Sequence, residues 1–193
     1  DHISTVNPDF IQAIFRNKQE EIKIAFWDIG GGNTSFILTT VYARAAVALI
    51  VVDLSNLDHL NTIGKYQKEI LDVNRVDADI LLVGTHYDLR NDKDKATQVN
   101  AAKKMLQQKA QALGCRYFFV DNNDKKTVDP VFTEVHRLIL EKKPKEAETL
   151  QRASDSKREA QKTKPVLAVM DSNLPIMAKR IRPRFRLPSL PKN

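Results

Sequence analysis

A single cysteine, Cys115, rules out an internal disulfide and suits a reducing compartment. No stretch approaches the roughly 18 to 20 uninterrupted apolar residues that a membrane-spanning helix needs, and Asp1-His2-Ile3-Ser4 is not the basic and apolar start of a secretory signal. Nor is there an initiating Met, from which we expect the sequence to begin partway through a longer one. Residues 1–143 also lack any charge excess, with 19 basic and 19 acidic side chains. These absences point to a soluble, cytoplasmic protein and argue against nucleic acid as the main partner of its first three quarters.

What is present divides unevenly. Residues 144–193 hold 12 basic and 5 acidic side chains, which accounts for the whole net charge of +7, and six of the eight prolines. With little amphipathic period, this part is not expected to bury a core. The sequence thus predicts a domain over 1–143 and a disordered basic tail over 144–193.

Within the first part, buried parallel strands are expected at Ile22–Trp27, Ala46–Val52 and Asp79–Gly84, with a shorter one at Arg116–Val120. Helical patterns lie between and after them, chiefly Asp58–Leu71, Lys93–Leu113 and Val128–Glu141, and Gly114 stands where a helix-ending glycine belongs. Alternation of this kind predicts a doubly wound α/β domain with helices on both faces of a mostly parallel sheet. Ligands of such domains bind beyond the carboxyl ends of the strands.

Three turns at those ends carry Trp27-Asp28-Ile29-Gly30-Gly31-Gly32, Gly84-Thr85-His86-Tyr87-Asp88 and Asp121-Asn122-Asn123. In order and spacing they resemble the Asp-x-x-Gly, Asn-Lys-x-Asp and Ser-Ala-Lys motifs of Ras-superfamily GTPases. Ile3-Ser4-Thr5-Val6-Asn7-Pro8-Asp9-Phe10 is similar to the first switch of the Rab branch. Each motif alone has an ordinary structural explanation, such as a strand-end Asp capping a turn; four in register are more specific. The resemblance covers residue 3 to about residue 141.

The resemblance implies a P-loop GTPase-type fold, GTP or GDP as ligand, and Mg²⁺ as cofactor. It assigns Thr5 to the metal through its hydroxyl and Asp28 to the metal through a water, and it brings the Gly31 N–H to the γ-phosphate. Asp88 would read guanine by accepting from the ring N1–H and the exocyclic amine. Thr85 and His86 stand where the family carries Asn and Lys. Asn122 takes an alanine position whose backbone does the work, while Asp121 and Asn123 replace Ser and Lys. Gly32 holds the place of the glutamine that orients attacking water, which leaves no catalytic side chain there. Phe10, Trp27 and Tyr42 match the aromatic trio that Rab proteins present to effectors, and Tyr42 with Arg44 matches a Tyr-x-Arg pattern of the second switch.

Two family features are missing from these residues. The Gly-x-x-x-x-Gly-Lys-Ser/Thr loop that cradles phosphate does not occur, nor does the strand expected before it. In this fold that strand runs in mid-sheet, between the strands ending at Trp27 and near Asp53, so we expect roughly 25 to 40 residues before Asp1. The carboxyl end carries no prenylation cysteine. It holds instead Lys179, Arg180, Arg182, Arg184 and Arg186, interleaved with apolar residues, a cluster suited to an anionic membrane surface or to solvent. Two readings follow from the same residues. One is a Rab-like switch with weak intrinsic hydrolysis, peripheral to intracellular membranes in vesicle traffic, with effectors and exchange or activating factors as partners. The other is a degenerate pseudo-GTPase that acts as a protein-interaction module. Nucleic-acid binding through the tail is a weaker third.

Overall fold

Eight of the nine residues of Ala45–Asp53 are buried, which defines the centre of the protein. The run has no polar face because both of its faces are covered. Ala48, Ile50 and Val52 pack into one apolar layer, and Val47, Leu49 and Val51 into another. The computed structural model describes residues 9–16, 21–30, 36–154 and 166–171. Over these the elements run β1 (Asp9–Arg16), β2 (Glu21–Gly30), α1 (Phe36–Arg44), β3 (Ala45–Asp53), α2 (Leu57–Val73), β4 (Asp79–Thr85), α3 (Ala96–Leu113), β5 (Arg116–Phe119), α4 (Lys125–Ser154) and β6 (Val166–Asp171). A 3₁₀ turn, Tyr87–Asn91, follows β4.

The strands form one sheet in the order β1-β2-β6-β3-β4-β5, with β1 and β2 antiparallel and the remaining pairs parallel. Helices α1, α2 and α3 cover one face through Tyr42, Leu60, Ile63, Val99 and Leu106. On the other face α4 lays Val128, Val131, Val135, Leu138 and Ile139 against β1 to β4, at the three- and four-residue steps of a helical stripe. The expected doubly wound α/β domain is present.

Local chemistry fixes the joints. Asn56 caps α2, its side-chain oxygen accepting from the Asp58 N–H at 3.0 Å. At the other end Asn74 donates to the carbonyls of Tyr42 and Ala45 and accepts from the N–H groups of Val76 and Ala78, so one amide joins α1, α2 and the approach to β4. Gly114 ends α3 with φ of 65°, the left-handed cap expected there.

Two features of the structure bear on the expected tail. The proposed boundary near Lys143 falls inside α4, which continues to Ser154. Within the supposed disordered tail, Val166–Asp171 is a strand in the middle of the sheet, paired with Ala25–Gly30 on one side and with Ala45–Val51 on the other. A short apolar run needs no amphipathic period when both of its edges are met by backbone partners, and so the compositional argument missed it. The basic residues Lys179, Arg180, Arg182, Arg184 and Arg186 lie outside the described residues.

Candidate functional site

The carboxyl ends of β2, β3 and β4 and the turn after β5 lie at one end of the sheet, and backbone hydrogen bonds tie the last three together. The Leu54 N–H donates to the Thr85 carbonyl at 3.2 Å, the Val120 N–H to the Gly84 carbonyl at 2.8 Å, and the Tyr87 N–H to the Val120 carbonyl at 3.2 Å. The turns holding Thr85–Asp88 and Asp121–Asn123 are thereby fixed to each other. Gly84 allows the close approach, since a Cβ there would meet the Leu54 side chain at 2.9 Å.

Asp28 lies near the end of β2, opposite Asp9 in the β1–β2 ladder. Burial, and then the charge of Asp9, push its carboxyl above the usual carboxylate range. Two acids facing each other in a partly desolvated place favour a cation between or beside them. Among the described residues no group of three or more His, Cys, Asp or Glu could hold a metal ion, so Mg²⁺ there would depend on phosphate and water oxygens as well. Asp28 fits that role; Thr5, Gly31 and Gly32 lie outside the described residues.

At the end of β4, Thr85 is fully buried and its hydroxyl donates to the Val52 carbonyl at 3.2 Å. That hydroxyl already serves the β3–β4 joint, which makes Thr85 a structural residue first. His86 takes a left-handed conformation with φ of 57° and brings its Nδ1 to 3.0 Å from Asp53 Oδ1. The same carboxylate oxygen accepts from the Ser55 N–H and hydroxyl, both at 2.7 Å. Burial alone would raise the Asp53 pKa, but His86 and Ser55 together hold it at about 2. Asp53 in turn raises the pKa of His86, with a smaller push from Asp88 and against the effect of burial. The His86–Asp53–Ser55 group did not emerge from motif spacing. The available signal was an acid ending an apolar strand, as Asp28 does.

Beside it, Tyr87 stacks on Phe119 with ring centroids 5.2 Å apart, the Arg90 guanidinium lies 4.2 Å from the Tyr87 centroid, and Lys103 donates to the Tyr87 hydroxyl at 3.0 Å. This pile braces the turn that carries the half-buried Asp88. In the turn after β5, Asp121 receives the Asn123 N–H at 2.8 Å and its own N–H donates to Thr127 at 2.9 Å. Asn122 and Asn123 are exposed. A cleft of about 440 Å³ lined by Gln67, Asp79, Cys115 and Arg137 lies at the opposite, amino ends of β4 and β5, away from these turns.

The aromatic trio divides. Phe10 is 48% exposed and tilts against Trp27 at 5.0 Å between centroids, the two being register partners of β1 and β2. Tyr42 is only 4% exposed and belongs to the core under α2, contrary to the surface role expected of it. Helix α1 turns that residue inward against Asn74 and the β3 layer. Its neighbour Arg44 is exposed.

Comparison with known proteins agrees with this geometry. The sequence model of the Ras family matches residues 1–141. Among curated relatives, the Ras-related protein Rab-3A of Homo sapiens is 28% identical over 149 residues, covering 76% of this chain and 64% of its own length. Rab-3C of Bos taurus is 26% identical over 149 residues, covering 76% and 63%, and Rab-12 of Mus musculus is 29% identical over 142 residues, covering 73% and 56%. The chain spans less than two thirds of the length of these relatives. With the family matched over most of its residues and Rab proteins as its relatives, the chain belongs to the Ras family, as a Rab-like member.

Proposed function

We propose that the chain carries a guanine-nucleotide switch of Rab type, which takes GTP or GDP with Mg²⁺ at the carboxyl end of the sheet and recruits effectors in vesicle traffic. The observation that supports this best is the stapling of the Thr85–Asp88 and Asp121–Asn123 turns at that end, with Asp28 on the same side. Asp88 accepts from guanine, the exposed Asn122 and Asn123 border the base, and Asp28 holds the metal side with Thr5 and the Gly31 N–H. Bound Mg²⁺ would neutralise charge on the phosphates. The exposed Phe10, with the half-buried Trp27 against it, is the surface offered to effectors, with exchange or activating factors at the same switches. The basic cluster at Lys179–Arg186 would add a salt-sensitive attraction to anionic membrane.

In the natural full-length protein, Asp88→Ala should weaken GTP binding by roughly 10- to 100-fold in titration calorimetry, the cost of losing hydrogen bonds to a charged acceptor. Any weak binding of ATP should be unchanged. Equal losses for the two nucleotides would remove Asp88 from the base site.

A second reading is a pseudo-GTPase, an interaction module that keeps the fold without cycling. The commitment of the Thr85 hydroxyl to Val52, the tie of His86 to Asp53, and Gly32 at the water-positioning place favour it. Gly32→Gln in the full-length protein separates the two readings. A rise in single-turnover GTP hydrolysis supports the switch, since the amide acts mainly in the transition state, and no turnover in either form supports the module.

A further inference from the structure

The sheet ends at β1 on one side and at β5 on the other. Phe10 stands on the first of these edges, and the second has a chemistry of its own. Just past β5 the Val120 N–H donates to the Gly84 carbonyl at 2.8 Å, on the β4 side. Successive residues of a strand point their main-chain groups to opposite sides. Arg116 and Phe118 therefore face β4 as Val120 does, while Tyr117 and Phe119 turn their N–H and C=O groups away from it. Among the described residues no backbone hydrogen bond meets those outward groups. An edge of this kind is a template for a further strand.

The side chains around the edge have one sign of charge. Tyr87, Phe119 and Tyr117 form a row with ring centroids 5.2 and 5.5 Å apart, and Tyr117 is 40% exposed. From α3, Lys103 lies over the Tyr87 and Phe119 rings, and Gln107 donates to the Tyr117 hydroxyl at 3.2 Å. Residues 95–120 hold five basic side chains and no acidic one, although residues 1–143 as a whole are balanced. Of the five, Arg116 is paired with Glu134, and the four lysines make no ion pair among the described residues. The other face of β5 presents Phe118 to the apolar layer under α4.

We propose that the free edge of β5, with the lysines of α3 beside it, is a second interaction surface that takes an extended protein segment with acidic side chains at every second position. Added as a strand, the segment pairs its backbone with Tyr117 and Phe119. Its alternation turns the acids toward α3 and the apolar side chains toward the Phe118 face. Lipid headgroups and nucleic acids bring negative charge but no row of main-chain amides, and so leave the edge unused. A second copy paired antiparallel through β5 would set α3 beside α3 and bring like charges together. The surface is on the far side of the sheet from Phe10, so both partners can be held at once, with or without nucleotide.

The test is titration of the ¹⁵N-labelled natural full-length protein with the peptide Glu-Val-Asp-Ile-Glu-Val-Asp, followed by amide shifts and hydrogen exchange. Exchange at Tyr117 and Phe119 should slow by at least about tenfold at saturation, with Phe118, already bonded toward β4, little changed. Affinity should fall as salt rises. Lys104→Glu with Lys109→Glu, two side chains that make no ion pair, should weaken binding by about tenfold or more. A peptide with lysine at the acidic positions, or one N-methylated at the amides that face the edge, should not bind. Absence of peptide binding at millimolar concentration would overturn the proposal, as would equal binding of the lysine or N-methylated peptide. So would protection of the same amides by phosphatidylserine vesicles or a single-stranded oligonucleotide in place of the peptide.

Discussion

The two halves of the sheet on either side of β6 are built differently. In the half made of β3, β4 and β5, the strand ends are sewn together by main-chain hydrogen bonds, and β3 and β4 are apolar on both faces. In the β1–β2 half, the outer strand alternates, with Phe10 and Ile14 exposed and Phe15 buried. The first half is a platform that fixes the turns proposed to read a nucleotide. The second has one face in the core and one left free for a partner. The lesson is that burial on both faces fixes the turns after β4 and β5, whereas a surface aromatic is available only where a strand has one uncovered side.

Parallel truncations would test this contrast most strongly. Leu82, fully buried in β4, should cost about 2–5 kcal/mol on Leu82→Ala in denaturant unfolding, the range for a large aliphatic removed from a packed core. Phe10→Ala should cost well under that, because nearly half of the side chain is already in water. Comparable losses at the two positions would show that the hairpin is as tightly packed as the platform.

A smaller effect comes from the pair that closes the platform. Asp53 is held at about 2, below its ordinary 3.8, so its contribution is complete above pH 3.8 and is lost as pH falls toward 2. His86 is raised above its ordinary 6.5, so its contribution is complete below 6.5 and fades as pH rises through the higher folded value. The shared pair therefore stabilises most between these two limits, by on the order of 1 kcal/mol after allowing for solvent at the partly exposed ring. His86→Ala should flatten both flanks of the stability-versus-pH curve measured by thermal unfolding. A curve of unchanged shape would mean that the contact in the platform contributes nothing in solution.

The smallest expected change sharpens the view of the patch. The Tyr42 hydroxyl is buried with no hydrogen-bond partner among the described residues, and burial raises its pKa. Tyr42→Phe should leave stability unchanged or slightly higher, because it removes a desolvated polar atom and keeps the ring. A loss of more than about 1 kcal/mol would mean that the hydroxyl has a partner, and would bring Tyr42 back toward a functional role.

Much of this fold was legible in single residues. The run from Ala46 to Val52 has to be covered on both faces, Gly114 has to end its helix, and Asp28, Asp88 and Asp121 stand near or beyond the carboxyl ends of strands, where a doubly wound sheet gathers its ligand residues. The sequence by itself determined these, because each follows from local propensity or from the period of the apolar pattern. Tyr42 reads equally well as a surface or a core aromatic until α1 is docked under Asn74. His86 gives no hint that it will meet Asp53, which lies 33 residues earlier and adjoins it only once β3 and β4 pair. Val166–Asp171 is short, without period, and set in basic, proline-containing surroundings, so composition argued against it. Only the tertiary structure decided that it is a central strand, because its stabilisation comes from two edges supplied by residues more than a hundred positions away, and no local property of six residues encodes a gap of their own width.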